Sequence, residues 1–369
     1  YYVARATMKY AATESNCICR CSDTVAISEQ IDEDTSEAQH GVDVELSRKV
    51  GLACRKVGIE FDAQSRLQIA TLPVIPKESI TIGRLLGNGG FNEVISVTLK
   101  GEKDSLGREK VVAMKRLLPS TLQKKDDFYG GALDLIIEAR LLHALQHPNI
   151  IKLYGVSCDD DKLQSCYLSG NRYCLFLEPF YVTLRERLDE WRKAHSRKHD
   201  LEKRIDQVVI PLAGAMEYLH SCNIIFRDLK PDNMGFDRHG TLKLFDFGLA
   251  REINPLCPMS SFTGSIRYMA PEVTKSEPYS LSADVYSFGV VVFECCTLVK
   301  KKPRCFPFRF PVPRSMKQLI KSCWDKNPSN RPTFGEIHAS LMGDLENFDD
   351  QLHSMGSQHE SVWTIDSQL

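Results

Sequence analysis

Two stretches decide the fold of this chain, Ile225-Phe-Arg-Asp-Leu-Lys-Pro-Asp-Asn233 and Leu244-Phe-Asp-Phe-Gly248. They set four polar side chains among apolar neighbours: Asp228, Lys230, Asn233 and Asp246. Carboxylate and amide oxygens suit Mg²⁺, which keeps water and phosphate oxygens in its coordination shell. A nearby carboxylate can accept a hydroxyl proton, and a lysine can neutralise charge on a phosphoryl group during transfer. The two stretches therefore indicate phosphoryl-transfer chemistry.

A glycine-rich stretch, Gly87-Asn-Gly-Gly-Phe-Asn-Glu-Val94, lies upstream between two predicted strands. Glycines allow a tight hairpin to bring backbone N–H groups close to phosphate oxygens. Alone, the motif is more typical of an ordinary glycine-rich hairpin, and it lacks the Gly-Lys-Ser/Thr ending of a P-loop.

A single lysine interrupts the apolar stretch Val112-Ala-Met-Lys115. An unpaired ammonium in an apolar strand costs free energy, so Lys115 needs an anionic partner. Glu138, on the following predicted helix, is the natural candidate. Either charge alone would equally fit a solvated surface pair.

The periodicity of apolar residues changes part-way along the chain. Short β-branched runs predict strands over residues 80–86, 93–99, 111–117 and 173–177. Helical spacing predicts helices over residues 135–145, 208–220, 283–298, 316–324 and 334–341. Strands followed by helices predict an α+β protein of two lobes, with a ligand bound between them.

Composition limits the classes of function. The chain has 369 residues, of which 43% are hydrophobic, and its formal net charge is -1. This balance supports a sizeable core and offers no overall field for nucleic acid, so we expect no nucleic-acid partner. No apolar run is long enough to cross a bilayer, and the start of the chain lacks the pattern of a secretory signal.

Thirteen cysteines are scattered along the chain, which suits reduced thiols in a cytoplasmic protein, with a nuclear one not excluded. Cys17-Ile-Cys-Arg-Cys21 could bind a metal, but no second Cys/His pair lies at the right spacing, which favours a disordered tail.

Residues 80–342 resemble the eukaryotic protein kinase catalytic domain. The motifs occur in family order, from the glycine loop and Val-Ala-Met-Lys to Arg-Asp-Leu-Lys-Pro-x-Asn, Asp-Phe-Gly and Ala270-Pro-Glu272. The resemblance implies an α+β, two-lobed kinase fold, with a small β-rich N-lobe carrying one main helix and a larger helical C-lobe. The expected organisation is a largely disordered extension (residues 1–76), a kinase domain (77–342, with lobes 77–177 and 181–342) and a polar tail (343–369).

The resemblance also implies roles for individual residues. The catalytic group would be Asp228 as the base, with Lys230 and Asn233, while Asn233 and Asp246 would hold Mg²⁺. The residues expected to bind ATP are Gly87, Asn88, Gly89, Gly90, Phe91, Val94, Ala113, Lys115, Glu138, Leu177, Glu178 and Phe180. Glu272 and Arg331 are expected to form a buried ion pair, and Asp284 to hold the catalytic loop.

Finer features suggest a subtype and its partners. Lys230-Pro231 and Ser265 are similar to the serine/threonine type, which implies protein substrates with Ser or Thr hydroxyls, and the run Gly264–Glu272 resembles the tyrosine-kinase-like branch. The alternative is a pseudokinase that uses the fold as a scaffold. Arg227 implies activation by an upstream kinase or by autophosphorylation at Ser260, Ser261 or Thr263, unless these are ordinary loop hydroxyls.

Three positions depart from the family pattern. Asn92 replaces the third loop glycine, and we expect weaker nucleotide binding from it. Phe226 replaces a histidine and should still pack on Phe247. The segment 297–315 is proline-rich and shortened, either by a true deletion or by an error in the gene model. We expect this to affect substrate docking and the stability of the C-lobe, but it removes no catalytic residue.

Overall fold

The computed structural model describes residues 71–89, 91–118, 120–121, 125–158, 173–194, 199–253, 259–300 and 312–343. The extension to residue 70, the tail from residue 344, the segment 301–311 and Gly90 lie outside the described residues, so the predictions made for them stay predictions. The chain divides into two compact units, and the last crossing between them falls between Glu178 and Pro179, within the predicted hinge. The segment Leu141–Lys152 also belongs to the second unit.

The first unit is built on a five-stranded sheet whose neighbouring strands are all antiparallel. The strand order is β1-β2-β3-β5-β4. The strands are β1 (Ile80–Asn88), β2 (Asn92–Lys103), β3 (Glu109–Leu117), β4 (Leu153–Val156) and β5 (Cys174–Leu177). All four predicted strands are confirmed. The short strand β4 was not predicted, because four residues give too little alternation to recognise.

The two faces of this sheet differ in chemistry because side chains alternate along a strand. One face forms the apolar core of the unit, made of Ile95, Val97, Leu99, Val112, Met114, Cys174 and Phe176. The intervening residues therefore share the other face, among them Val94, Ala113 and Lys115. This second face is called the lysine face below.

Helix α1 (Lys125–Ala144) is the main helix of the N-lobe sequence, and it begins ten residues before the predicted start at residue 135. Gly130 and Gly131 hid the first half, since glycine is a poor helix former. Packing explains one of them: a Cβ at Gly131 would lie 2.6 Å from Leu117 Cδ2. Close approach of helix and sheet thus outweighs helix propensity here.

Residues just before the predicted domain boundary at 77 belong to this unit. The backbone N–H of Ile75 donates to Val156 O and the N–H of Val156 to Pro73 O, both at 2.8 Å. Val74 forms a parallel bridge with Val156, and the Ile75 side chain packs against the core. This segment therefore covers the edge of β4, which would otherwise present unpaired backbone groups.

The second unit is mainly helical. Its helices are α2 (Leu184–Lys193), α3 (His199–Arg204), α4 (Ile210–Ser221), α5 (Pro271–Thr274), α6 (Ser282–Thr297), α7 (Arg314–Cys323) and α8 (residues 334–343). Helix α6 is the central one, because every residue from Ala283 to Cys296 is buried. Thr183 and Glu186 form a capping box that starts α2.

Short strands in the second unit hold the loops that carry polar residues. They are β6 (Val182–Thr183), β7 (Ile224–Ile225), β8 (Met234–Phe236), β9 (Leu242–Leu244) and β10 (Arg251–Glu252). They form one sheet in the order β6-β8-β9 and a pair of β10 with β7. The predicted α+β class, with a sheet-based N-lobe and a helical C-lobe, is confirmed. None of the helices within the described ranges is both long and apolar enough to cross a bilayer.

Candidate active site

The residues predicted to act in catalysis lie between β7 and β8, and they converge on the carboxylate of Asp228. Asp228 Oδ2 accepts hydrogen bonds from Lys230 Nζ at 2.6 Å and from Asn233 Nδ2 at 3.0 Å. Asn233 Nδ2 also donates to Asp228 O at 2.9 Å. Asp228 and Asn233 are buried, so these charge-assisted bonds are protected from water and fix the orientation of the carboxylate.

The second oxygen of the same carboxylate is left open. Asp228 Oδ1 is buried and has no hydrogen-bond partner in the described structure. It lies 3.5 Å from the position that a Cβ would take at Gly264, whose φ of +106° suits glycine alone. A buried, unpaired carboxylate oxygen is costly, and a hydroxyl donor from a substrate would satisfy it.

Asp284 on α6 holds the catalytic loop through backbone contacts. Its carboxylate accepts from the N–H of Phe226 at 2.7 Å and of Arg227 at 2.9 Å, which confirms the predicted contact. Arg227 has a φ of 69°, a left-handed conformation that costs free energy for a residue with a side chain. His220 Nε2 also lies 3.1 Å from Asp284 Oδ2, a contact that was not predicted.

Asn233 and Asp246 are brought to neighbouring strand ends. Residues Met234 and Leu244 are paired across β8 and β9, and the N–H of Phe245 donates to Asn233 O at 3.0 Å. Because Asn233 Nδ2 donates to Asp228, its Oδ1 is the end of the amide that remains to accept. An amide oxygen and a carboxylate are ligands that suit Mg²⁺, which usually retains several waters.

The amide oxygen of Asn233 and the carboxylate of Asp246 suit Mg²⁺, which needs few protein ligands because it retains several waters. A metal that takes all its ligands from the protein would need more side chains than these two. Among the described residues, no group of three or more His, Cys, Asp or Glu side chains is arranged to hold a metal ion.

The predicted aromatic packing beside Asp246 is confirmed, since the rings of Phe226 and Phe247 meet edge to face at 5.1 Å.

The lysine face of the first unit carries the predicted ion pair. Lys115 Nζ donates to Glu138 Oε2 at 2.6 Å, and both side chains are buried. Strand register places Lys115 opposite Val94 and Ala113 opposite Leu177. Residues paired directly across neighbouring strands share a face, so four predicted nucleotide ligands lie together on the lysine face.

The remaining predicted nucleotide residues are divided between the units. Gly87, Asn88, Gly89 and Phe91 lie at the β1–β2 turn, where the N–H of Gly89 donates to Asn92 O at 2.7 Å. Glu178 ends the first unit, while Phe180 belongs to the second, where its ring stacks on Phe245 at 4.3 Å.

The predicted ion pair of the second unit is also present. Arg331 donates to both carboxylate oxygens of Glu272, through Nη1 at 2.6 Å and Nη2 at 2.9 Å. The same guanidinium donates to Ser282 O and Asp325 O and lies over the ring of Tyr286.

A second buried charge network was missed by sequence reasoning. Arg185 Nη1 donates to Glu294 Oε1, and Arg185 Nη2 donates to Tyr268 OH at 2.5 Å and lies 3.3 Å from Asp232 Oδ2. Tyr268 OH donates to Glu294 Oε2 at 2.8 Å. Burial opposes the charge on Arg185, but the bond to Glu294 raises its pKa, while burial and then Glu294 raise the pKa of Tyr268.

A signal for this network was present in the sequence. Glu294 interrupts the apolar run of α6, and a buried carboxylate requires a partner. Nothing in the sequence showed which of the many arginines that partner would be.

The three candidate phosphorylation sites differ in accessibility. Ser260 is exposed, whereas Ser261 is buried, accepts from Arg227 Nη1 at 3.3 Å and lies 3.1 Å from Tyr279 OH. Thr263 is half-buried, and its hydroxyl donates to Ser261 Oγ at 3.0 Å. Arg227 is thus already tied to this segment by a neutral hydroxyl.

Comparison with known proteins adds an independent observation. A family model described as Protein kinase domain matches residues 80–341. A probable serine/threonine-protein kinase, SIS8, from Arabidopsis thaliana is 31% identical over 286 residues, which are 72% of this chain and 25% of that protein. Tyrosine-protein kinase Fer from Mus musculus is 30% identical, over 73% of this chain and 31% of its own length.

A third relative is mitogen-activated protein kinase kinase kinase 13-B from Xenopus laevis, which is 29% identical over 76% of this chain and 27% of its own length. The chain therefore spans between a quarter and a third of the length of these relatives.

Proposed function

Because the chain belongs to the protein kinase family, we propose that it transfers the γ-phosphoryl group of ATP, with Mg²⁺, to serine and threonine hydroxyls of proteins. The observation that carries this proposal is the state of Asp228. One of its oxygens is fixed by Lys230 and Asn233, and the other is buried and unpaired. This is the arrangement that a general base needs before its substrate arrives.

The roles of the loop residues follow from these contacts. Asp228 Oδ1 accepts the hydrogen bond of the substrate hydroxyl and orients its oxygen for attack on the phosphoryl group. The proton passes to Asp228 as the new P–O bond forms and the bond to the leaving diphosphate breaks. Lys230 holds the opposite oxygen of the carboxylate, and its ammonium counters negative charge near the reacting atoms.

Asn233 Oδ1 and Asp246 would hold the metal. When bound, Mg²⁺ supplies positive charge to the phosphate oxygens. Lys115 would bind the α- and β-phosphates, with Glu138 keeping its ammonium on the lysine face. The adenine would lie near Ala113 and Leu177 and bond to the backbone between Glu178 and Phe180.

Specificity for serine and threonine is supported by Ser265. Lys230 Nζ donates to Ser265 Oγ at 2.9 Å while it also holds Asp228, so this serine is linked to the base through one ammonium. The relatives include proteins named for either kind of specificity, so the acceptor residue needs its own measurement.

The proposal also covers how the activity is regulated and in which compartment the protein acts. Ser260 is the exposed hydroxyl near Arg227, and we propose it as the site that an upstream kinase or the chain itself phosphorylates. Scattered cysteines that are free in the described part of the chain fit a reducing compartment, such as the cytoplasm.

The test is a phosphotransfer assay with Mg·ATP and three peptide pools that differ only in a central Ser, Thr or Tyr. The wild type should label the Ser and Thr pools. Asp228→Asn removes the base without changing its size, and we expect the rate to fall by about 10²- to 10⁴-fold. Asp206→Asn, at an exposed position shortly before α4, is the matched control and should keep full activity.

Different results would contradict different parts of the proposal. Labelling of the Tyr pool alone would overturn the assignment of serine/threonine specificity, while the proposed kinase activity would still stand. Equal rates for wild type and Asp228→Asn would remove Asp228 as the base. Stabilisation by nucleotide without any transfer would favour the scaffold alternative.

A further inference from the structure

We propose that Asn92, which takes the place of a loop glycine, is a side-chain ligand for the phosphate end of the nucleotide. This inference rests on the proposed function, and it reverses the expectation that Asn92 weakens nucleotide binding. The residue begins β2, and it is paired in register with Leu117 at the end of β3.

The position of Asn92 places it among the predicted nucleotide residues. Asn92 and Val94 are two residues apart on one strand, so they share a face, and Val94 is paired with Lys115. Asn92 therefore lies on the lysine face, diagonal to Lys115, at the end of β2 that adjoins the glycine loop. If the phosphates of a nucleotide contact Lys115, they also lie within reach of the Asn92 side chain.

The carboxamide of Asn92 is unsatisfied at both ends within the described structure. Its Oδ1 is buried without a hydrogen-bond partner. Its Nδ2 has no hydrogen-bond partner among the described residues, and it is not fully buried, so it keeps some contact with solvent. An accessible N–H donor beside a lysine on one face is the chemistry that binds phosphate oxygens.

A purely structural role does not explain the residue. Asn92 is absent from the described residues with positive φ, so its backbone does not need the left-handed tolerance of asparagine. A buried amide oxygen without a partner costs about 1–3 kcal/mol, which alanine or glycine would avoid. If Nδ2 donates to a bound phosphate, the free energy of that hydrogen bond offsets the cost of the unpaired oxygen.

The experiment compares Asn92→Ala with wild type by calorimetric titration of Mg·ADP and of adenosine. A hydrogen bond to a charged group predicts that the Kd for Mg·ADP rises about tenfold in Asn92→Ala. The Kd for adenosine, which has no phosphate, should stay unchanged. Without ligand, Asn92→Ala should melt at the same temperature as wild type or higher, because it loses an unsatisfied polar group.

Two further variants complete the design. Thr98→Val lies on the same strand and face but at the far end from the glycine loop, and it should bind both ligands as wild type does. Asn92→Gly restores the residue usual in the family and should lose Mg·ADP affinity as Asn92→Ala does, which protects the test if one variant folds poorly.

Unchanged or tighter Mg·ADP binding by both Asn92 variants would overturn the inference and leave the proposed function standing. Equal losses for Mg·ADP and adenosine, or a lower melting temperature of ligand-free Asn92→Ala, would assign Asn92 a structural role instead. A wild-type chain that binds neither ligand would overturn the proposed function itself.

Discussion

The two units each contain a buried ion pair, and the pairs differ in the cation. In the first unit Lys115 Nζ donates to Glu138 Oε2 at 2.6 Å. In the second, Arg331 gives Glu272 two and also bonds two backbone carbonyls. Lysine is a flexible point charge with rotatable donors, whereas arginine is a rigid planar fork.

This difference in the cation matches a difference in role between a lysine proposed to bind a ligand and an arginine that holds the fold together. The donors of Arg331 are directed at fixed acceptors, so the residue links the start of α5, the start of α6 and the turn after α7. The ammonium of Lys115 carries three donors on a flexible stem, so it can turn towards a phosphate without giving up Glu138. The arginine pair therefore serves stability, and the lysine pair serves the proposed chemistry.

The largest expected effect comes from breaking the arginine pair. Arg331→Ala leaves Glu272 buried without its partner, and we expect the free energy of unfolding to fall by about 3–5 kcal/mol. Arg331→Lys should recover only part of the lost free energy of unfolding, since one ammonium cannot replace the planar, two-pronged guanidinium. Urea unfolding measures both, and Arg238→Ala on the surface is the control, expected within about 0.5 kcal/mol of wild type. A loss as small as that of the control would refute the structural role.

A smaller loss of stability, with a larger loss of activity, is expected from Lys115→Met. The methionine keeps the apolar stem, but Glu138 loses its buried cationic partner, so the free energy of unfolding should fall by about 3 kcal/mol, the lower end of the range for a broken buried pair. Phosphotransfer should be lost in protein that is still folded. Lys103→Met, on the exposed end of β2, is the control. Activity that survives in folded Lys115→Met would contradict the assignment of the lysine pair to chemistry.

The smallest effect concerns pH. Burial raises the pKa of the Cys323 thiol from 9.0 to about 12, although Arg331 nearby opposes the shift. The unfolded chain loses this proton near pH 9 and the folded chain keeps it, so the free energy of unfolding should fall as pH rises from 9 towards 12.

For one thiol the free energy of unfolding lost at pH 10 is about 1–2 kcal/mol, relative to a chain without this thiol. Urea unfolding of wild type and Cys323→Ala at pH 8 and pH 10 measures the difference, which should shrink by that amount at the higher pH. The same pH dependence in both proteins would show that this thiol is not held protonated by the fold.

Part of the site could be predicted from local motifs, and part from the resemblance to a known family. The pairing of Lys115 with Glu138, of Arg331 with Glu272 and of Asp284 with the loop backbone is confirmed. The predicted roles of these residues in binding and catalysis stay predictions. Reasoning from the residues led to Glu138, because a lysine in an apolar strand requires an anionic partner. The contacts of Arg331 and Asp284 join residues more than fifty positions apart, and they were implied by the resemblance to the kinase family.

Other features depended on contacts between distant segments. The first half of α1 was missed because its glycines oppose a helix, yet Gly131 is what admits Leu117. Arg185 and Glu294 are more than a hundred residues apart, and no local pattern joins them. The docking of Ile75 on β4 was missed for the same reason.

The sequence alone determined the family resemblance, the fold class and the chemical types gathered for phosphoryl transfer, since these are written in short motifs and in apolar periodicity. Tertiary structure decided which oxygen of Asp228 stays open, which arginine meets Glu294, and that Asn92 shares a face with Lys115. The physical reason is that hydrogen-bond satisfaction is settled among all groups that burial brings together, and the order of residues along the chain does not specify that set.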